Sequence, residues 1–406
     1  MTSDTRLPHL FRTEYRKIVS VLCRTFGLRD VETAEDIASE TFLTAAQSWG
    51  IEGMPPNPTA WLYTVARNKA VNYLKRESIL NTRVLSAYVN QHDVHADLRD
   101  DLPNEFFEDS QLRLMFALCH PSIPAEMQVA LCLRLLCGFG VGEIADAFMT
   151  DRENISKRLL RAKERLRDQN LSLEIPSTEQ LHGRIGPVLT TIYLLFNEGY
   201  YSSSGDDVLR KDLCLEAIRL TSMLIENRVT NVSEANALMA LMCFHFSRFD
   251  SRTGEEGQII LYDDQDATAW NAEWISRGGF FLRHASGSEM ITAFHIEAAI
   301  AYHHAAATPD KWPDILHLYD QLLQVRPSPV VAMNRAYALY KVAGPREAIA
   351  SLEGVTLTDS HLYQALLGHL WISLDRDRAR NHLIQAMNIA QSPAVKKALQ
   401  RKLNEL

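Results

Sequence analysis

Glycine and proline are scarce, 18 and 15 in 406 residues, about 8% together where average usage is roughly 12%. That shortage excludes collagen-like and low-complexity chains and argues against a sandwich of many short strands and turns. It favours helices. Long apolar runs are missing as well. None reaches the roughly 18 residues that a membrane-spanning helix requires, and Met1–Leu10 has no apolar stretch of the kind a secretory signal carries. No CxxC pair occurs among the six cysteines, Cys23, Cys119, Cys132, Cys137, Cys214 and Cys243. Their spacing does not suit a zinc site. Set in stretches such as Leu131-Cys132-Leu133, they read as small buried hydrophobes of a reducing cytoplasm. A Walker A loop, GxGxxG, HExxH and any nucleophile–base pattern are absent too. No enzyme, cofactor or metal site is therefore expected. His303-His304 and Asp263-Asp264 are adjacent pairs, and neighbours on a helix point apart, so both read as surface or capping residues. What is present is ordinary for a packed soluble chain: 46% hydrophobic and 23% charged residues. At about 150 residues per domain, the length implies two to three domains.

The net charge of −8 hides a division. Residues 1–77 are nearly balanced, residues 78–106 are acidic, residues 107–170 are neutral, and the acidic bulk lies beyond residue 170. Within the neutral block, the segment Arg152–Arg167 holds Arg152, Lys157, Arg158, Arg161, Lys163, Arg165 and Arg167 against only Glu153 and Glu164. Local clustering, rather than net charge, is the electrostatic footprint of nucleic-acid binding.

The pattern along the chain predicts an all-α protein. Residues 8–48 read as helices, with Thr33 capping Ala34–Trp49 and Asp36 as its capping partner. Gly50–Pro58, with two glycines and three prolines, reads as a loop. Thr59 or Asn57 then caps a helix from Ala60 to Glu77. The acidic stretch Ser86–Pro103 reads as a linker. A helix starts at Pro124-Ala125-Glu126 and runs to about Cys137, where Gly138-Phe139-Gly140 breaks it. Val141–Phe148 is a short helix, and Thr150-Asp151-Arg152-Glu153 has the form of a capping box that opens the next. A second linker, Leu171–Ser177, precedes a wholly helical remainder. There Ala336, Ala348 and Leu352 are echoed by Gly368, Ala379 and Leu383, a period close to the 34 residues of tetratricopeptide repeats. Residues 213–246 form a further helix pair.

Gly142–Met149 and the basic helix after it form a helix-turn-helix. Ala145 is small where the helices cross, and Ile144 and Phe148 face inward. Ile155, Leu159, Ala162 and Leu166 recur at i, i+4, i+7 and i+11 and make one apolar face. Arg152, Glu153, Asn154, Lys157 and Arg158 are placed to reach base edges in a major groove. Arg161 and Arg165, further along, suit phosphates.

Asp36-Ile37-Ala38-Ser39-Glu40-Thr41-Phe42-Leu43, the Gly/Pro loop, and Ala60-Trp61-Leu62-Tyr63-Thr64-Val65-Ala66-Arg67-Asn68-Lys69-Ala70 with Lys75-Arg76 resemble region two of sigma-70-type initiation factors. Val141–Arg167 resembles their region four. The pairing resembles the extracytoplasmic-function (ECF) group. The helical remainder, with Asn197-Glu198-Gly199-Tyr200 near its start, looks like the C-terminal tetratricopeptide-like extension of one ECF group. The resemblance implies two small helical sigma domains, the second with a helix-turn-helix, followed by an α-solenoid-like repeat domain. The boundaries are 1–77, a linker 78–106, 107–170, and 178–406.

By the same resemblance, the chain is a cytoplasmic transcription initiation factor, not an enzyme, whose partners are core RNA polymerase and promoter DNA. Asp36, Ser39 and Glu40 share a helix face and would grip the β′ coiled coil of the polymerase; for Asp36, compensation of the helix dipole is the competing role. Asn57, Trp61, Arg67, Asn68, Asn72, Lys75 and Arg76 would meet the −10 element. Asn57 is otherwise a cap, Trp61 otherwise core, and Asn72 stands where the family commonly has Asp. Arg152, Glu153, Asn154, Lys157, Arg158, Arg161 and Arg165 would read the −35 element. The C-terminal domain would regulate activity in cis, with a peptide or protein partner and without a membrane. The competing reading is a helix-turn-helix regulator with a ligand- or peptide-sensing helical domain.

Overall fold

The computed structural model describes residues 3–80, 104–148, 150–169, 171, 173–201, 211–252, 265–287, 290–306, 310–355, 357, 360–390 and 393–406. Every regular element among them is a helix. The expected linker Ser86–Pro103 and the pair Asp263-Asp264 lie outside the described residues. The chain divides into two compact units, Met1–Leu195 and Phe196–Leu406.

The first unit opens with α1 (Ser3–Phe26), α2 (Val31–Glu52) and α3 (Pro58–Leu80). Ile18, Val19 and Leu22 of α1, Ala34, Ala38 and Phe42 of α2, and Leu62 and Ala66 of α3 are buried where the three helices pack together. The start of α2 differs from expectation. Asp30, not Thr33, holds the cap position, and it makes no side-chain cap bond. Thr33 lies inside the helix and donates its hydroxyl to the Tyr73 phenol oxygen at 3.5 Å. The end differs as well. Gly50 stays helical, because nothing at that position breaks the ladder; the stop is Gly53, whose φ of 83° only glycine adopts cheaply. Asn57 caps α3, its Oδ1 accepting the Ala60 N–H at 3.1 Å.

Next come α4 (Asn104–Leu118), α5 (Ala125–Leu135), α6 (Val141–Ala147) and α7 (Arg152–Gln169). Helix α4 packs along α1, and α5, α6 and α7 close a small three-helix knot. Its centre is Leu131, Leu133, Ile144, Ala145, Ile155, Leu159, Ala162 and Leu166, all buried. Cys119 and Cys132 are buried with their sulfurs 3.7 Å apart, and every cysteine is a free thiol. Burial pushes the Cys23 thiol far above its ordinary value, so these side chains act as apolar filler.

The second unit is built from helices that pack chiefly on their neighbours in sequence. The division between the units falls within α8 (Thr178–Tyr201). Helices α9 (Lys211–Glu226), α10 (Ser233–Phe246) and α11 (Ala272–Ala285) follow. Almost every residue of α10 is buried, as befits a helix enclosed by others. Then come α12 (Ala293–Ala305) with α13 (Lys311–Val325), α14 (Pro329–Ala343) with α15 (Pro345–Ser351), α16 (His361–Trp371) with α17 (Arg376–Ile389), and a last helix α18 (Pro393–Asn404). The repeat positions do pack where the pattern requires close approach. Ala336, Ala348 and Leu352 share one core cluster. At Gly368 an added Cβ would stand 2.8 Å from Leu383 Cγ and 3.3 Å from the Ala379 carbonyl oxygen, so only glycine lets α16 and α17 touch there.

Candidate nucleic-acid interface

Helix α7 is set by its cap. The Asn154 N–H donates to Asp151 Oδ1 at 2.7 Å. The cap is therefore Asp151, and not Thr150 as the S/T-x-x-E spacing suggested; Glu153 instead pairs with Lys157 at 2.7 Å. At about 100° per residue, Asn154, Lys157, Arg158, Arg161 and Arg165 fall on one face, away from the buried Ile155, Leu159, Ala162 and Leu166. Four of them converge. Asn154, Lys157, Arg158 and Arg161, with Thr150 and the start of α5 at Pro124, Glu126 and Met127, line an open cleft of about 600 Å³.

The partners within this face differ. Arg158 is held by Glu126 at 3.2 Å and lies 5.1 Å from the centre of the half-buried Phe148 ring. Arg165 donates to the Ser122 carbonyl at 3.4 Å. Arg161 is exposed. The Asn154 amide is engaged locally, donating to Asp151 Oδ2 at 2.7 Å, so base reading would require it to exchange partners. Arg152 stands off the face; its guanidinium lies 3.2 Å from where a Cβ on Gly142 would be. Glu153 is exposed outside the cleft.

Helices α2 and α3 form a second cleft, of about 340 Å³, lined by Thr33, Asp36, Ile37, Glu40, Lys69, Asn72, Tyr73 and Arg76. Asp36 and Glu40 thus face Asn72 and Arg76 across one opening. Glu40 Oε2 accepts from Lys69 Nζ at 3.1 Å. Lys69, inside the Arg67-Asn68-Lys69 motif, thus lines the same opening, which the sequence pattern alone does not single out. Ser39 is exposed, 3.3 Å from the Tyr15 hydroxyl. Along α3, Trp61, Asn68, Asn72 and Lys75 recur at i, i+7, i+11 and i+14 and share a stripe that Arg76 borders. Arg67 lies off that stripe, half-buried. Trp61 packs edge-on against the buried Trp49, ring centres 5.3 Å apart, so much of its indole serves the core. Asn57 is exposed, with Oδ1 committed to the cap.

No group of described His, Cys, Asp or Glu side chains has the arrangement of a metal site. No helix among the described residues is long and apolar enough to cross a membrane.

Residues 10–79, which hold α1 to α3 and the second cleft, match sigma-70 region 2. The ECF RNA polymerase sigma-E factor of Haemophilus influenzae is 28% identical over 173 residues, 41% of this chain and 88% of that protein. The chain carries a sigma-70 region 2 domain. Its remaining length also has a counterpart. The uncharacterized protein R00370 of Rhizobium meliloti (strain 1021) is 33% identical over 385 residues, 93% of this chain and 91% of its own length. Residues 184–286 match a family of unknown function, DUF6596. No solved structure matches. The sigma-E match thus covers less than half of the chain, whereas the match to R00370 covers nearly all of it.

Proposed function

We propose that the chain is a sigma factor of the ECF group that binds core RNA polymerase and directs promoter-specific initiation, working in the cytoplasm. The observation that carries the reading is the conjunction of a region 2 match over α1 to α3 with a capped basic helix whose Asn154, Lys157, Arg158 and Arg161 converge on one open cleft. Asp36, Ser39 and Glu40 grip the β′ coiled coil through charge-assisted hydrogen bonds. Asn57, Trp61, Arg67, Asn68, Asn72, Lys75 and Arg76 meet the −10 element. A flipped base costs a few kcal/mol, which contacts in that region must offset. Arg152, Glu153, Asn154, Lys157, Arg158, Arg161 and Arg165 serve the −35 element, Arg161 and Arg165 through phosphates. A chain of net charge −8 binds free DNA poorly, since phosphate neutralisation dominates affinity; that suits a factor that acts only inside a polymerase complex.

The second unit is a tetratricopeptide-like domain that regulates activity in cis, with a peptide or protein as its partner. The paired helices α12 to α17 and the close approach at Gly368 support this, because stacked hairpins present extended surfaces to partners. The experiment is transcription by purified core polymerase, with and without the chain, on the DNA upstream of its own gene. Initiation that depends on the chain and weakens on Glu40→Ala is expected. No binding to core polymerase would refute the sigma reading and favour a helix-turn-helix regulator. Truncation after Leu195, where the first unit ends, tests the second unit: unchanged transcription would exclude regulation in cis.

A further inference from the structure

Within the first unit, the helix that carries the polymerase face also holds the −35 helix. Glu35 lies on α2 next to Asp36, but on the inner side, and is buried. Its carboxylate accepts a hydrogen bond from Arg134 Nε of α5 at 3.1 Å and forms an ion pair with Lys163 Nζ of α7 at 2.7 Å. One turn away, Glu32 pairs with Arg167 of α7 at 3.0 Å. Arg134 also donates to the Phe139 carbonyl at 3.1 Å, in the turn that leads into α6. Two of the seven basic residues of α7 are thus turned from the DNA face onto acids of α2.

This closed arrangement conflicts with simultaneous reading of two promoter elements. Elements centred about 10 and 35 base pairs upstream are roughly 85 Å apart along B-form DNA. A helical module of about 70 residues has a radius of gyration of roughly 11 Å, so two in contact span no more than about 60 Å. We propose that Glu35, bridging Lys163 and Arg134, is a latch that holds the two promoter-reading modules shut in the free protein, and that it opens when polymerase and promoter are engaged. The inference rests on the sigma reading. The latch is intramolecular, and its acid lies one residue from the candidate polymerase face. Docking on α2 is therefore positioned to be felt at Glu35.

The test is energy transfer between dyes on the full-length chain, at Gln47→Cys on α2 and Gln169→Cys at the end of α7, with the half-buried Cys137 replaced by Ser. A charge-assisted hydrogen bond is worth about tenfold or more in a closing equilibrium. Glu35→Gln is expected to lower transfer by opening the unit to that extent. Lys163→Gln, which leaves the Arg134 contact in place, is expected to lower transfer less, and the double variant to add little to Glu35→Gln, because the Lys163 contact is already lost there. Core polymerase with promoter DNA is expected to lower transfer in the unsubstituted chain. Transfer unaltered in both single variants would overturn the latch. Transfer as high in the promoter complex as in the free chain would overturn the requirement to open. Failure of the unsubstituted chain to bind core polymerase would instead overturn the sigma reading beneath it.

Discussion

Two adjacent glycines in α11 offer a controlled measurement of how tightly the second unit is packed. A Cβ on Gly278 would stand 2.6 to 2.9 Å from three atoms of the Phe244 ring. That ring is 1% exposed and lies against Tyr302, centres 5.8 Å apart, so it has nowhere to retreat. A Cβ on Gly279 would meet nothing closer than a guanidinium nitrogen of Arg283 at 3.6 Å, an ordinary contact with a flexible side chain. Both substitutions to Ala gain the same intrinsic helix propensity, up to about 1 kcal/mol. Only Gly278→Ala adds overpacking, about 1–3 kcal/mol. Gly279→Ala should therefore raise stability by roughly 0.5–1 kcal/mol, and Gly278→Ala should lower it or leave it unchanged. The difference between the two variants isolates packing. For a unit of this size, 1 kcal/mol moves a melting temperature by about 2–4 °C, so the variants should melt roughly 2–12 °C apart by calorimetry. Equal shifts in the same direction would refute the close approach of α10 and α11 at this point.

Three further outcomes follow from the geometry. Glu40→Ala should weaken capture by core polymerase by about tenfold or less, because the carboxylate is exposed and rim charges contribute modestly; titration against immobilised polymerase reads this, and unchanged affinity would remove Glu40 from the interface. Arg161→Ala should weaken promoter binding by the holoenzyme alike across −35 sequences and reduce its salt dependence by about one phosphate contact, whereas a sequence-selective loss would make Arg161 a base reader. Burial, then the nearby Arg248, Arg252 and His304, hold His245 well below the usual imidazole range. A depressed folded value means that the unfolded chain takes up the proton first, so this group has no effect above pH about 6.5 and destabilises as pH falls. At pH 5.5 it should cost on the order of 1 kcal/mol. Urea unfolding at pH 7.5 and 5.5 should show that loss, and His245→Phe should remove it; an identical pH dependence in the variant would place the effect elsewhere.

The parts legible in the sequence are those that local spacing governs. The apolar positions Ile155, Leu159, Ala162 and Leu166 are all buried, because a 3.6-residue period leaves a helix only one way to turn an apolar stripe inward. The glycine and alanine positions that bring α16 and α17 together follow from the same logic, since a close crossing admits few residue types. Cap residues were harder. Thr150 and Asp151 are neighbours, both can accept an N–H, and the choice depends on the turn by which the chain leaves α6. Thr33 was misplaced for a related reason: α2 begins three residues earlier, on a short helical turn at Leu28–Asp30, and a helix entered that way needs no side-chain cap.

What no local pattern carries is the far side of each charge. Lys163 and Arg167 look from the sequence like the rest of a basic helix. Their assignment to acids of α2, and that of Arg134 to Glu35 at a separation of 99 residues, depends on how two modules meet. The sites show the same asymmetry. Asp36 and Glu40 could be read as a helix face from i, i+4 spacing, but their position across a cleft from Asn72 and Arg76 arises only when α2 and α3 pack. In consequence, Glu35, Asp36 and Glu40, three acids within six residues of one helix, have three different roles in this fold. Glu35 is a buried bridge between modules. Asp36 is an exposed carboxylate on the outer side. Glu40 is an exposed acid already tied to Lys69. A substitution at any one of them therefore reports on a different step, and scanning the three separates latch from docking.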